Sequence, residues 1–136
     1  MARLILDTGV LVAAERGKLD LAPLRDHDMV IAAVTAAELL TGVERADTRE
    51  RRERRQGFAD LVFATVPVED YTLEVARVHA RMLAHTRRLG EPRGAHDLMI
   101  AATAVATARS VHSLDGEAGF GELPGVRLFS GPGPRR

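Results

Sequence analysis

Leu4-Ile5-Leu6 is apolar on both faces and ends at Asp7. A run without alternation suits a strand buried on two sides in a parallel sheet. Met29-Val30-Ile31-Ala32 has the same character and predicts a second such strand. Thr65-Val66-Pro67-Val68 reads as a short strand with proline near its end. Ser110–Leu114 reads as a further strand and Val126–Phe129 as a last one. Between these runs the period lengthens. Helices are predicted at Thr8–Arg16, around Leu21–Arg25, at Thr35–Arg45 and at Thr48–Ala64. The Thr48–Ala64 helix is charged, with Phe58, Leu61 and Val62 on its apolar side. Asp70–Leu89 predicts a long helix carrying Tyr71, Val75, Val78, Met82 and Leu89 on one stripe. Ala95–Arg109 is almost wholly apolar after Asp97, as a central buried helix would be. Strands alternating with helices imply an α/β layer fold around a mainly parallel sheet. Residues 1–130 are expected to form one domain. The Gly/Pro/Arg tail 131–136 is expected to be flexible, because proline and glycine there continue neither helix nor central strand.

Composition narrows the classes. At 136 residues the chain is long enough to bury its own core, and 46% hydrophobic residues are too many for disorder. The absence of cysteine excludes a disulfide scaffold, thiolate zinc sites and a cysteine nucleophile. No apolar run is long enough to span a membrane. Asp7 comes too early for the core of a secretory signal, so a cytoplasmic protein is expected. Nineteen basic and nineteen acidic side chains balance to a net charge of +0. Such a chain is not a general nucleic-acid binder through net charge. Eighteen of the basic residues are arginine, whose planar fork matches phosphates and carboxylates.

Four carboxylates stand out by position. Asp7 ends the first strand, Glu38 lies in the first turn of the helix after the second, Asp97 opens the buried helix, and Asp115 follows the Ser110–Leu114 strand. Open α/β sheets bind ligands at the carboxyl ends of their strands, where the strand order reverses. If those strands are neighbours, the four acids converge, and they must then protonate or be held by a cation. A hard cation such as Mg²⁺ or Mn²⁺ suits an all-oxygen donor set. Each acid also has a purely structural reading. Thr35-Ala-Ala-Glu38 fits a capping box, Asp97 fits a helix N-terminus, and Asp115-Gly116 fits a turn. Asp7 is the hardest to explain so, because a carboxylate at the end of a buried strand needs a partner.

Asp7-Thr8-Gly9 also has the form of an aspartic-protease motif, but those folds are almost all β and this chain is rich in helix. The histidines show no metal-ligand spacing. His96, beside Asp97, and Glu117 have no assigned role. No phosphate-binding glycine loop or nucleophile elbow is present.

Three segments carry a family resemblance: Leu4-Ile-Leu-Asp-Thr-Gly-Val-Leu-Val-Ala, Val34-Thr-Ala-Ala-Glu-Leu-Leu-Thr-Gly-Val and Gly94-Ala-His-Asp-Leu-Met-Ile-Ala-Ala-Thr-Ala. In this order they resemble the PIN-domain ribonucleases, and among them the VapC toxins of bacterial toxin–antitoxin pairs. The resemblance runs from Leu4 to about Phe129. It implies a three-layer α/β/α sandwich and an acidic cluster, Asp7, Glu38, Asp97 and Asp115, that binds one or two Mg²⁺ or Mn²⁺ ions and cleaves RNA. It also implies a cognate VapB-type antitoxin lying over the early helices, a transfer or ribosomal RNA substrate and a homodimer. Arg16 and Arg93 are candidates to hold phosphates at the cleft rim. A catalytically weak PIN-fold RNA-binding or regulatory protein is the alternative reading. Two positions depart from the pattern. Many relatives carry an acid directly before the phenylalanine that follows the fourth motif, where this chain has Gly119 before Phe120. The first motif ends in Gly9 rather than serine or asparagine.

Overall fold

Leu4-Ile5-Leu6 forms most of strand β1 (Arg3–Leu6), and all three side chains are fully buried. Successive strand residues point to opposite faces, so one short run supplies two cores. Leu4 and Leu6 pack with Leu11, Leu24, Ile31, Val62 and Val66. Ile5 packs on the other side with Val30, Val78, Met82, Ile100 and Val111. A sheet apolar on both faces must be covered on both, which gives the expected three-layer sandwich. The computed structural model describes residues 1–91, 93–116 and 119–130. The 131–136 tail and Glu117 lie outside them.

The elements follow in the order β1, α1 (Thr8–Glu15), β2 (Asp28–Ala32), α2 (Ala33–Glu44), α3 (Arg49–Thr65), β3 (Val68–Glu69), α4 (Leu73–Leu89), α5 (Ala95–Ala106) and β4 (Ser110–His112). The sheet order is β3-β2-β1-β4, and every pairing is parallel. The chain steps from β1 outward to β2 and β3, then returns to place β4 on the other side of β1. The order therefore reverses between β1 and β4, and the crevice beyond their carboxyl ends is the position where such sheets bind ligands. Residues of α1 and α3 fill the core under Leu4 and Leu6. Residues of α4 and α5 fill the core under Ile5.

Several expected boundaries move for local reasons. The helix expected from Thr35 begins at Ala33, directly after β2. The helix expected from Asp70 begins at Leu73, because the Thr72 side chain accepts from the Val75 N–H at 3.2 Å and caps it. Tyr71 therefore lies outside the helix, half exposed, with its hydroxyl 2.7 Å from His79 Nδ1. Leu89 is also exposed rather than on the buried stripe. The helix α3 takes up Thr65, which leaves a strand of two residues after Pro67. The last expected strand reduces to one parallel bridge between Leu128 and Val111. The α5 helix stops at Ala106, and Ala108 turns the chain with a positive φ of 54°.

That turn places Arg109 inside the molecule. Its guanidinium is buried and donates to the Asp28 carbonyl at 2.9 Å and to Asp28 Oδ1 at 3.0 Å. It also reaches the Leu4 carbonyl at 3.4 Å, so one side chain ties β1 and β2 to the residue before β4. Charge-assisted hydrogen bonds of this kind contribute about 1.5–3 kcal/mol each. Arg109→Ala is expected to destabilise the fold by about 2–3 kcal/mol, read by urea denaturation. A change below about 0.5 kcal/mol, the range of an ordinary surface substitution, would show that the strap contributes nothing.

Candidate active site

Asp7 follows β1 directly and caps α1. Its Oδ1 accepts from the Thr8 N–H at 2.9 Å, and its side chain is almost wholly buried. The pairing of Leu6 with His112 brings the residue after each strand side by side. Ser113 therefore meets Asp7, and its hydroxyl donates to Asp7 Oδ2 at 2.9 Å. The Ser113 Oγ in turn accepts from the Asp115 N–H at 3.0 Å. A short polar chain thus joins the first acid to the loop that carries the fourth. No local motif marks Ser113, because its role depends on the β1–β4 register.

Glu38 approaches from the neighbouring strand's helix. Because α2 starts at Ala33 with Ala32 as its cap residue, Thr35 is the third helical residue and no capping box forms. The Thr35 side chain is buried, and its hydroxyl lies 3.0 Å from that of Thr8. Thr8 donates to Glu38 Oε1 at 2.9 Å, and His96 Nδ1 lies 3.4 Å from the same oxygen. Glu38 is thus turned toward the other acids rather than toward its own helix end. Asp97 is also the third residue of its helix, α5. It makes no side-chain cap and faces the same crevice. A Cβ on Gly94 would lie 3.1 Å from Asp97 Oδ2, so the absence of a side chain there gives the carboxylate room.

The four acids are linked by charge through Asp97. Burial pushes the Asp7 carboxyl above the usual range; the Ser113 hydrogen bond opposes this, while Asp97 and Glu38 add to it. Burial also raises Asp97, with Asp115 and Glu38 adding to the shift and His96 opposing it. Asp115 is exposed at the mouth. The donor set is all oxygen and holds more negative charge than its neighbours offset, which fits a hard cation. Among the described residues no three acids close on a single ready-made coordination point. Water would complete the shell, as it commonly does around Mg²⁺.

The two rim arginines differ. Arg93 is mostly buried, with Nη2 on Glu122 at 2.7 Å and on Glu91 at 3.5 Å. Its guanidinium occupies the space that a Cβ on Gly119 would need, and Gly119 has a left-handed φ of 64°. At the position where the family pattern has an acid, a side chain would therefore meet the Arg93 guanidinium and a left-handed backbone. Arg16 is exposed on a groove of about 290 Å³ between α1, α2 and α3, which also reaches Glu38, Val12, Leu39 and Phe58. No helix among the described residues is long and apolar enough to cross a membrane.

The PIN domain family model matches residues 4–120. Ribonuclease VapC5 of Mycobacterium tuberculosis is 36% identical over 125 residues, covering 90% of this chain and 88% of that one. The chain belongs to the VapC family of PIN-domain proteins. Ribonuclease VapC of Rickettsia bellii is 28% identical over 130 residues, covering 95% and 96% of the two chains. The crystal structure of VapBC-5 from M. tuberculosis, a toxin–antitoxin system, matches this PIN domain with a TM-score of 0.73 at 33% identity over 85% of this chain and 86% of that one. VapBC2 from Rickettsia felis, bound to a promoter DNA fragment, matches with a TM-score of 0.83 at 21% identity over 93% and 96%, which shows the shared fold.

The raised carboxyls of this PIN domain give a signed pH dependence. An acid whose folded pKa is raised weakens the fold at neutral pH, and stability returns as pH falls through that value. His112 acts oppositely: burial lowers its pKa, so stability is lost as pH falls below the ordinary histidine range. Asp7→Asn/Asp97→Asn removes only the first effect, and asparagine still caps α1. In EDTA the double variant is expected to melt above the wild type at neutral pH, with the gap closing in mild acid. A gap independent of pH would show that the two carboxylates carry no burial or repulsion penalty.

Proposed function

We propose that this chain is a metal-dependent endoribonuclease, the toxin of a toxin–antitoxin pair, acting in the cytoplasm and stopping translation by cutting transfer or ribosomal RNA. One observation carries the reading. In a PIN domain whose relatives are named ribonucleases, Asp7, Glu38, Asp97 and Asp115 lie close enough to the crevice where the strand order reverses to influence one another's charge.

Asp7, Asp97 and Asp115 would hold one divalent ion, Mg²⁺ with Mn²⁺ as a substitute, and Glu38 would hold it directly or through water. When bound, such an ion lowers the pKa of a coordinated water and offsets phosphate charge. Asp7 is oriented for this work by Ser113 and by the Thr8 N–H. Glu38, steadied by Thr8, accepts the proton of the attacking water. The water oxygen forms the new bond to phosphorus as the bond to the leaving 3′ oxygen breaks, and that oxygen takes up a proton. Single-stranded or looped RNA can bend its backbone into such a crevice.

The groove beside Glu38 fits a VapB-type antitoxin segment. Val12, Leu39 and Phe58 offer apolar contact, while Glu15 and Glu38 would accept an arginine directed toward the acids. The solved relatives are toxin–antitoxin complexes, which supports this assignment. A homodimer is part of the same proposal.

Asp7→Asn and Asp97→Asn are each expected to abolish cleavage of cellular RNA with Mg²⁺ while leaving circular dichroism unchanged. Glu38→Gln is expected to slow cleavage by about 10²–10⁴-fold, the usual contribution of a general base. A folded Asp97→Asn protein cutting at the wild-type rate would remove the site assignment.

Metal binding has its own readout. At about a hundredfold excess over Kd, an ion that binds only the folded protein stabilises it by about 2.7 kcal/mol. Mn²⁺ is expected to raise the melting temperature at lower concentration than Mg²⁺, and Asp7→Asn/Asp97→Asn to lose most of the effect. An equal rise in the double variant would place the ion elsewhere.

A further inference from the structure

The chain has no net charge, yet its arginines are used in two different ways. On α3 they are paired: Arg49 with Glu53 at 3.1 Å, Arg51 with Asp47 at 2.7 Å, Arg52 with Glu44 at 3.1 Å and Arg54 with Glu15 at 3.3 Å. On α4 the pattern reverses. Arg77, Arg81 and Arg88 are exposed, and among the described residues none has an ion-pair partner.

These three fall on one helix face with Ala84, at the i, i+4, i+7 and i+11 positions of a single stripe. Ala80 lies beside them and is also exposed, so short side chains floor a shallow track between long basic ones. The one acid on this face, Glu74, stands at the far N-terminal end. The opposite face is the buried one, through Val75, Val78, Met82 and Thr86. From Arg77 to Arg88 the stripe runs about 16 Å at 1.5 Å per residue. Its Arg88 end is where Gly90 stops the helix and the chain turns into Gly94 and Asp97. The basic stripe thus lies on the helix that packs against α5, the helix carrying Asp97, and its Arg88 end is nine residues before that acid in the chain.

We propose that the outer face of α4 binds the phosphate backbone of a base-paired RNA stem adjoining the segment held at the acids. The inference rests on the ribonuclease reading and extends it to how the substrate is held. The crevice itself repels phosphates wherever metal does not offset its carboxylates, so affinity must come from another surface. Arginines spaced along one face, with Glu74 at its far end as the one acid on it, supply it by releasing counterions from RNA. A stem is favoured because its backbone is regular, and side chains reach it from outside by phosphate contacts.

The experiment uses a fluorescein-labelled RNA hairpin and the full chain carrying Asp97→Asn, so that RNA is bound but not cut. Anisotropy is measured against salt. Arg77→Gln/Arg81→Gln/Arg88→Gln is expected to weaken binding and reduce the slope of log K against log salt by about 0.9 for each phosphate contact removed. Arg49→Gln/Arg51→Gln/Arg52→Gln makes the same change in charge on α3 and is expected to leave the slope nearly unchanged. In chains with Asp97 intact, cleavage of a short unpaired oligonucleotide is expected to survive the α4 triple change, while cleavage of the hairpin falls. Equal slopes for the two triple variants would overturn the proposal. So would poly-glutamate competing as well as the hairpin, which would indicate an acidic protein surface as the occupant. Failure of the unmodified chain to cut any RNA with Mg²⁺ would instead remove the ribonuclease reading beneath it.

Discussion

A carboxylate placed at the end of a central, buried strand constrains everything around it. Asp7 must leave Leu6 in the sheet and start α1, so it cannot reach open solvent. Its charge is penalised by burial, and only the Thr8 N–H and the Ser113 hydroxyl favour it locally. Every other acid the fold brings near makes matters worse: Asp97 and Glu38 both oppose its ionisation. A chain selected for stability alone would place an apolar or hydrogen-bonded neutral residue there. The retained charge is intelligible if a cation belongs in the crevice. Relief by metal, or by a guanidinium from a partner, then becomes part of the native state's energetics.

The layers of the fold were legible because burial on two faces leaves a plain mark, a strand with no alternation. Leu4-Ile5-Leu6 and Val30-Ile31 carried it, and the apolar length of α5 did the same for the central helix. The four acids were legible by their position at element ends. What was not legible depends on register and on competition between caps. Ser113 matters only because β4 lies beside β1, a fact of pairing that no single strand records. Thr35 read as a cap because Thr-x-x-Glu is a capping pattern, but the chain leaves β2 directly into helix at Ala33. Its hydroxyl was thereby freed to meet Thr8. Arg109 read as the end of a helix and proved to be a buried strap, since Ala108 reverses the chain first.

The loop after β4 shows a substitution that is coupled across the structure. Gly119 has no side chain, and the space is taken by the guanidinium of Arg93, itself anchored by Glu122. Arg93 in turn precedes the residues that present Asp97, so the loop and the start of α5 are locked to each other. A side chain at 119 would meet both a left-handed backbone and that guanidinium. An acid at this position would sit on a strained left-handed backbone and displace that guanidinium. Arg93 would have to move with it.

Charge balance over a whole chain says little about where a polyanion binds. In α3 the residue four places from Arg49 is Glu53, and the residue four places before Arg51 is Asp47. Helical spacing of this kind lets opposite charges meet and neutralise each other. In α4 the corresponding neighbours are different. Four places after Arg77 is Arg81, four after Arg81 is His85, and four before Arg88 is Ala84. The one acid in register, Glu74 three places before Arg77, forms no ion pair with it, so charge that cancels in the total remains largely uncancelled on one face. The repulsion between Arg77 and Arg81 costs a little helix stability, which the long apolar stripe beneath them offsets. Clustering like charges at a cost in folding energy parallels the crowded carboxylates of the crevice. In both places the opposing charge would come from outside the chain.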